Sequence, residues 1–366
     1  MIALEEGRVI KITNDHHDLQ ELLVEIAGQG VKKAINYPDL TGIVLEADQV
    51  RLNTTAVRLG LGSGGFHLVT AILERSVEQA PSGSGHIMKL RYTPSQLQVL
   101  AVEEEGSPHR TAMLAADDIQ GMVVLAATLH SQLAPLACLL GGRGIRTAYL
   151  MTDGAALPLA YSNTVRQLKE QQLLVGTITI GHAFGGDLEA VNIYSGLLAA
   201  RHVLKAEVVI VAMGPGIVGT GTRWGFTGIE QGQVINAAAA LGGCPVLVPR
   251  ISFADQRERH RGLSHHTLTV LERVCQVPCL LPLPLLTPVQ QGMIEGQLTA
   301  AVTKRHQIVW IDGSPVLASI PSSIVLSTMG RSSAEETEFF LACGAAGVAA
   351  SAIINGELTF TPPPVN

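Results

Sequence analysis

The sequence predicts an α/β fold, in which a mostly parallel, open, doubly wound sheet with helices on both faces follows a smaller β-rich barrel or sandwich module. Short period-two runs fill roughly the first hundred residues, whereas apolar strands alternate with helical segments from about residue 112 onward. Within the predicted strand at residues 207–213, residues 208–213 are apolar throughout, as expected of a parallel strand that is covered on both faces. A (βα)8-like barrel is the alternative, because eight predicted strands would also close a barrel.

The β-rich module is predicted from period-two runs that are bounded by Gly, Pro, Asn or Asp, at residues 8–13, 43–47, 50–57 and 87–92. One helix is expected at about residues 18–27. Residues 81–85 predict a flexible turn, and residues 103–108 resemble a linker that leaves the module. We therefore expect two domains, a β-rich module over residues 1–108 and an α/β domain over residues 109–366.

The α/β domain is predicted to contain strands near residues 121–127, 146–151, 173–180, 207–213, 245–249, 278–283, 307–311 and 324–328. Helices are expected over residues 129–140, 157–171, 188–204, 229–241, 264–274, 289–304 and 334–343. The uneven spacing of the strands, with a close pair near Ile311 and Ile324, favours the open sheet over the barrel. In either architecture ligands bind at the carboxyl ends of the strands, so the residues that leave each strand are candidates for function.

The composition excludes several classes of protein. A chain of 366 residues that is 47% hydrophobic and 15% charged is too apolar to be disordered. The net charge of -6 and the aromatic content of 4% argue against a nucleic-acid partner. The apolar runs are shorter than the ~20 residues that cross a bilayer, and residues 1–10 lack the pattern of a secretory signal. We expect a cytoplasmic protein without a membrane or nucleic-acid partner.

Acidic and histidine residues follow several predicted strands directly. Asp153 follows the strand that ends near residue 151, and His182, Asp187 and Glu189 follow the strand that ends near residue 180. The last three would suit a divalent metal, or a base with its orienting acid. Turns and helix N-caps also use Asp, so each acid alone has a purely structural explanation. As a set, Asp153, His182, Asp187 and His265 are the candidate catalytic residues.

A glycine-rich loop over residues 214–228 contains six glycines directly after an apolar strand. Glycine lets backbone N–H groups approach an anion closely, and Thr and Arg side chains add further donors. The expected anion-binding residues are Gly214, Gly216, Gly219, Thr220, Gly221, Thr222, Arg223 and, beyond the loop, Arg250. The loop also matches G-x-G-x-x-G, but its later glycines interrupt the helix that a dinucleotide fold needs, and no lysine completes a Walker loop. A mobile lid or a close-packed turn is the alternative.

Residues 250–266 hold four arginines and three histidines in an otherwise acidic chain. Such a density of arginine suits a phosphate or a polycarboxylate. Ser264 resembles an N-cap, which would place His265 and His266 in a first helical turn, where the helix dipole favours the neutral ring. Neutral imidazole is a base or a metal ligand, so a divalent metal is an open cofactor assignment. The alternative is a solvated helix face on which Glu258 pairs with its arginine neighbours.

Four runs of the sequence resemble a bacterial family of about this length that is known only as a domain of unknown function: residues 50–62, 151–158, 214–228 and 261–267. The resemblance covers essentially the whole chain and is specific to the family rather than to a reaction. It implies a bacterial cytosolic protein, and it implies no activity and no catalytic residue.

Together these features predict a hydrolase or transferase that acts on a small anionic metabolite, phosphorylated or nucleotide-like. The alternatives are a non-catalytic metabolite sensor or scaffold that uses the same cleft, and a dinucleotide-dependent oxidoreductase. The alanine-rich residues 236–242 and 342–352 suggest a homo-oligomer, although buried helices have the same composition.

Overall fold

A computed structural model describes residues 2–75 and 85–361. In this structure the chain divides into two compact units, Met1–Leu100 and Ala101–Asn366. The sequence places this division later, at residue 108. The intervening residues belong to the second unit, in which the backbone N–H of Val102 donates to a carbonyl oxygen of the main sheet across 2.7 Å.

The first unit contains a closed five-stranded barrel, which confirms the predicted β-rich module. Its strands are β1 Leu4–Asp15, β2 Gln20–Ile26, β3 Gly30–Asn36, β4 Gln49–Asn53 and β5 His67–Ile72. They pair in the order β1-β2-β3-β5-β4 and so leave no unpaired sheet edge. The other described elements of this unit are the helices α1 Pro38–Thr41 and α2 Thr55–Arg58 and the antiparallel strands β6 Ile87–Lys89 and β7 Leu97–Val99.

The helix predicted at residues 18–27 is wrong, because this segment forms strand β2. Leu22, Val24 and Ile26 are buried at every second position, and Glu25 between them is exposed. This is the period of a strand, which decides the conformation of a short apolar segment. The run at residues 43–47 forms no strand, and residues 81–84 of the expected flexible turn lie outside the described residues.

The second unit is built around an eight-stranded parallel sheet. The strands of this unit are β8 Val123–Ala126, β9 Thr147–Thr152, β10 Gly176–Thr179, β11 Leu188–Glu189, β12 Val208–Met213, β13 Cys244–Leu247, β14 Ile251–Ser252, β15 Gly262–Leu263, β16 Leu280–Pro284, β17 Gln307–Ile311, β18 Ser327–Thr328 and β19 Arg331–Ser332. The sheet has the order β11-β10-β9-β12-β8-β13-β16-β17. The other four strands form two small antiparallel pairs, β14 with β15 and β18 with β19.

Helices cover both faces of this sheet, as the sequence predicts. They are α3 Arg110–Ala115, α4 Leu133–Gly141, α5 Asn163–Glu170, α6 Ile193–His202, α7 Glu230–Ala240, α8 His265–Thr269, α9 Pro288–Gln297, α10 Ala300–Arg305, α11 Pro315–Ser319 and α12 Thr337–Ile354, and α8 continues into a π-helical turn, Val270–Val274. Val208 and Ile210 of β12 pack into the core formed with α4 and α12, whereas Val209 and Val211 pack into the core formed with α6 and α7. The sheet is therefore open and doubly wound, and the closed (βα)8 alternative is wrong.

Several predicted elements of the second unit differ from the structure, and the helix predicted over residues 289–304 is divided into α9 and α10. The sequence predicts a helix over residues 188–204, but the first two of these residues form the edge strand β11, and α6 begins only after Asn192. The side chain of Asn192 caps α6 by accepting hydrogen bonds from two backbone N–H groups. The strand predicted near residues 324–328 supplies only the small strand β18, outside the main sheet.

One helix of the described chain, α12, is long and apolar enough to cross a membrane, with a mean hydropathy of 1.7 over 18 residues. It packs on α4 and β16, and 61% of this window is buried inside the protein, as in the core helix of a globular domain. Burial also explains the alanine-rich runs, since Ala237, Ala238, Ala345 and Ala346 all lie in the core. The fold of a single chain therefore explains the alanine-rich composition, and the homo-oligomer stays a prediction.

Candidate functional site

The chain connections diverge at the carboxyl edge of the main sheet between β8 and β12. These strands are neighbours, yet α4, which follows β8, and α7, which follows β12, pack on opposite faces. Open α/β sheets bind ligands where the connections diverge in this way. Gln132, after β8, donates a hydrogen bond to the carbonyl oxygen of Pro249, after β13, across 3.3 Å. Segments that are distant in the chain therefore meet at this edge.

Three histidines form a compact cluster in this region. His260 ends a short 3-10 turn, and His265 and His266 begin α8. One ring nitrogen from each lies within 4.8 Å of the other two. Ser264 caps α8 by accepting a hydrogen bond from the backbone N–H of His266 at 3.3 Å, and the ring of Phe226 stacks on the His266 imidazole with centroids 3.8 Å apart. These contacts fix the orientation of His266.

The surroundings of all three imidazoles disfavour the charged ring. Burial, assisted by nearby arginines, lowers the pKa of His260 and of His266 to about 3, and it also lowers the pKa of His265. Nε2 of His265 and Nδ1 of His266 are buried and have no hydrogen-bond partner among the residues that the structure describes. Two of the nine such atoms among the described residues lie in this one cluster, which makes the cluster a candidate for binding a ligand.

A buried ion network supports the cluster. The carboxylate of Asp255, which is 2% exposed, accepts from Arg250 at 3.2 Å and from Arg257 at 2.7 Å. Arg331 lies 3.8 Å from the same carboxylate and also pairs with the buried Glu336. The hydrogen bonds from Arg257 hold the pKa of Asp255 well below its usual range. The network therefore fixes the position of the Arg250 guanidinium.

A cavity of about 150 Å³ lies between the histidine cluster and the glycine-rich loop. It is lined by Ile217, Val218, Gly219, Gly221, Arg250, Arg257, Arg259, His260, His266 and Met329. Arg250 and Arg257 are paired with Asp255, whereas Arg259 has no ion-pair or hydrogen-bond partner within the described ranges 2–75 and 85–361. The exposed side chain of Arg259 therefore lines the cavity with a guanidinium group that no carboxylate of the described residues neutralises.

The glycine-rich loop folds as a hairpin rather than as an open cradle. Gly219 bridges Phe226 in antiparallel fashion, and the N–H of Thr220 donates to the carbonyl oxygen of Gly225 at 2.8 Å. Gly221 has a φ of +80°, a left-handed conformation that favours glycine, and a Cβ there would lie 3.6 Å from Nη2 of Arg259. The hairpin therefore forms one wall of the cavity beside Arg259.

Part of the predicted anion site lines this cavity. Its lining members are Gly219, Gly221 and Arg250, and the members elsewhere are Gly214, Gly216, Thr220, Thr222 and Arg223. The hydroxyl groups of Thr220 and Thr222 bond to each other at 2.9 Å within the turn. A Cβ at Gly214 would lie 2.5 Å from the carbonyl oxygen of Ala156, so close packing by itself requires glycine at this position.

A second cavity, of about 230 Å³, lies at the ends of β9 and β10 and shares no lining residue with the first. Glu230, at the start of α7, lines it and accepts a hydrogen bond from Thr152 Oγ1 at 2.5 Å. Burial raises the pKa of Glu230 to about 7. Asp153 also lines this cavity and accepts a hydrogen bond from the backbone N–H of His182 at 3.0 Å. Of the predicted catalytic residues, Asp153 therefore lines this cavity and His182 lies beside it, apart from His265.

The fourth predicted catalytic residue, Asp187, lines neither of these cavities. It pairs with Lys169 at 2.6 Å and accepts hydrogen bonds from the backbone and hydroxyl of Thr177, each at 2.8 Å. Strand β11 runs parallel to β10, so the residue just before β11 lies near the beginning of β10. The expected metal group of His182, Asp187 and Glu189 is not formed in the described structure, where the histidine cluster is the group with suitable ligand atoms.

Sequence reasoning missed two acids of these sites. Glu230 is the first residue of α7, and Glu336 is the N-cap residue of α12. In the sequence both look like the acidic residues that ordinarily stabilise the start of a helix. Their burial and their partners, which arise only from the fold, are what distinguish them.

Comparison with known proteins identifies the family of the chain. Residues 33–347 match the family described as protein of unknown function, DUF3866. The chain belongs to this family. The DUF3866 match includes all four runs that carried the resemblance in the sequence, and it extends over both units. No curated protein and no solved structure matches the chain.

Proposed function

We propose that this DUF3866 protein is a hydrolase or transferase that acts on a small phosphorylated metabolite, bound in the cavity beside the histidine cluster. The observation that carries the proposal is the unpaired Arg259, which shares this cavity with Arg250 and Arg257. A guanidinium group stays charged at physiological pH and donates two parallel hydrogen bonds to a phosphate or carboxylate group. An anion is therefore the ligand that best satisfies the cavity.

The size of the cavity favours a phosphate group over a whole nucleotide. Its volume of about 150 Å³ is below the ~300–1,000 Å³ typical of sites that enclose a drug-sized molecule. The phosphate would bind inside, and the rest of the metabolite would extend over the apolar rim formed by Ile217, Val218 and Met329. We also propose, from the sequence, that the protein is cytoplasmic.

The groups in the cavity suit phosphoryl chemistry. In hydrolysis, a water oxygen forms a bond to phosphorus, the P–O bond to the alcohol breaks, and the alcohol leaves with a proton from the water. The arginines would stabilise the negative charge on the non-bridging oxygens. Neutral imidazoles of His260 and His266 face the same space and supply nitrogen lone pairs. An acceptor hydroxyl in place of water would make the same site a phosphotransferase.

A non-catalytic sensor would use the same cavity, and it would bind phosphate without turnover.

The geometry of the glycine-rich loop does not support the dinucleotide-dependent oxidoreductase. The hairpin that pairs Gly219 with Phe226 separates the end of β12 from α7, and the acidic Glu230 begins this helix, where a dinucleotide fold binds the pyrophosphate.

Arg259→Gln should weaken the binding of inorganic phosphate by roughly 10–100-fold, since hydrogen bonds to charged groups contribute ~1.5–3 kcal/mol. Isothermal titration calorimetry of the full chain measures this change. Arg223→Gln is the matched control, because it removes the same charge from an exposed position of the hairpin outside the cavity, and it should bind phosphate as the wild type does.

Phosphate release from a panel of phosphate monoesters, diesters and anhydrides distinguishes the enzyme from the sensor. An enzyme releases phosphate from at least one of these compounds, and Arg259→Gln lowers the rate. Binding without any turnover supports the sensor. Equal phosphate affinity in the wild type and both arginine variants contradicts the assignment of the cavity.

A further inference from the structure

We infer that His260, His265 and His266 bind one divalent transition-metal ion of the zinc class, each through one ring nitrogen. Their ligand atoms already lie within 4.8 Å of one another. Zinc–imidazole bonds of ~2.0–2.1 Å hold three nitrogens about 3.4 Å apart, so modest side-chain rotations would close the site around an ion.

The unpartnered ring nitrogens indicate which atoms are the ligands. Nε2 of His265 and Nδ1 of His266 are buried without a hydrogen-bond partner in the part of the chain that the structure describes. Nδ1 of His260 is hydrogen-bonded to Ser264 Oγ at 2.8 Å, which fixes the ring and leaves Nε2 to the ion. A metal-binding histidine commonly has its second nitrogen engaged in this way.

The ligand set indicates both the metal and its role. Mg²⁺ and Ca²⁺ prefer oxygen ligands, whereas imidazole suits Zn²⁺ and its first-row neighbours. Three protein ligands leave a fourth position free, which is the arrangement of catalytic rather than structural zinc. Because His260 and His266 also line the arginine cavity, that position would face the bound phosphate.

This inference deepens the proposed function and rests on it for the role of the metal, though not for metal binding itself. A metal-bound water, with a pKa lowered to about 7, would supply the nucleophile for hydrolysis. The ion network around Asp255 contains three arginines and two carboxylates, and Arg259 adds a further positive charge. An anion in the cavity would offset this excess, so phosphate and metal should each strengthen the binding of the other.

The test is a zinc titration of the chelator-treated full chain in phosphate-free buffer, followed by calorimetry and metal analysis. We expect one ion per chain, and visible absorption bands after substitution with Co²⁺. His265→Gln should lower the zinc affinity by roughly 100-fold or more and remove the cobalt bands. His202→Gln should retain both, because His202 lies outside the cluster, with Nε2 2.7 Å from the carbonyl oxygen of Asp118.

Wild-type protein that binds zinc no more tightly than His265→Gln overturns the inference, and so does the absence of cobalt bands in the wild type. If His265→Gln loses its native circular dichroism spectrum, His260→Gln replaces it. Phosphate binding through Arg259 without zinc binding contradicts this inference alone. Zinc binding without phosphate binding contradicts the proposed function alone.

Discussion

Asp255→Asn should destabilise the second unit by about 3–5 kcal/mol, because it removes a buried charge and leaves Arg250, 5% exposed, without its counter-ion. Asparagine keeps the shape of the side chain, so the change measures the loss of charge. Urea unfolding followed by tryptophan fluorescence measures the free energy of unfolding of this unit, since both tryptophans, Trp224 and Trp310, lie in it.

Acid should reduce this difference in stability. The pKa of Asp255 is held below that of an unfolded aspartate, so its contribution is complete above pH ~4 and is lost as the pH falls toward the folded pKa. Lys169→Met is the control, because it breaks the exposed pair with Asp187 and should cost less than about 1 kcal/mol. Equal losses in the two variants would show that Asp255 is not the centre of the network.

Glu230→Gln should stabilise the second unit at pH 8 by about 2–3 kcal/mol and have little effect at pH 5. Burial raises the pKa of Glu230 from 4.5 to about 7, so between these values the folded protein holds a proton that the unfolded chain releases. The stability of the wild type therefore falls as the pH rises through about 7. Glutamine stays neutral and keeps the acceptor for Thr152 Oγ1, so the variant should not show this decline.

The measurement is urea unfolding of the wild type and Glu230→Gln at several values between pH 5 and pH 8. Glu170→Gln, at an exposed position of α5, is the control and should follow the wild type at every pH. If the free energies of unfolding of the wild type and Glu230→Gln change with pH in the same way, the ionisation of Glu230 does not cause the decline.

Most of the fold could be predicted from the sequence because several of the parallel strands, such as β8 and β12, are apolar over their whole length. The edge strand β11 could not, since two residues carry no periodicity and the segment after them is helical. The order of strands in the sheet depends on how the crossover helices pack, which no local pattern records. The sequence predicts a helix in place of strand β2 because a short apolar segment fits either period.

The site could be predicted in part. The arginines and histidines of residues 250–266 are dense enough to be noticed, and the structure places Arg250 and His265 in one region. The bond between Ser252 Oγ and Glu336, at 3.0 Å, joins residues that are far apart in the chain, so only the fold brings them together. Asp187 is the opposite case, because it follows β10 in the sequence but does not lie at the carboxyl end of β10. The chain turns back before β11 begins, and this places Asp187 beside Thr177, near the beginning of β10.

The most direct test of the central claim is an anomalous difference map from crystals soaked in tungstate, an oxyanion that resembles phosphate and scatters strongly. The account predicts a peak in the cavity lined by Arg250, Arg259 and His266. A peak in the cavity of Glu230 instead, or an empty arginine cavity at saturating tungstate, would contradict it.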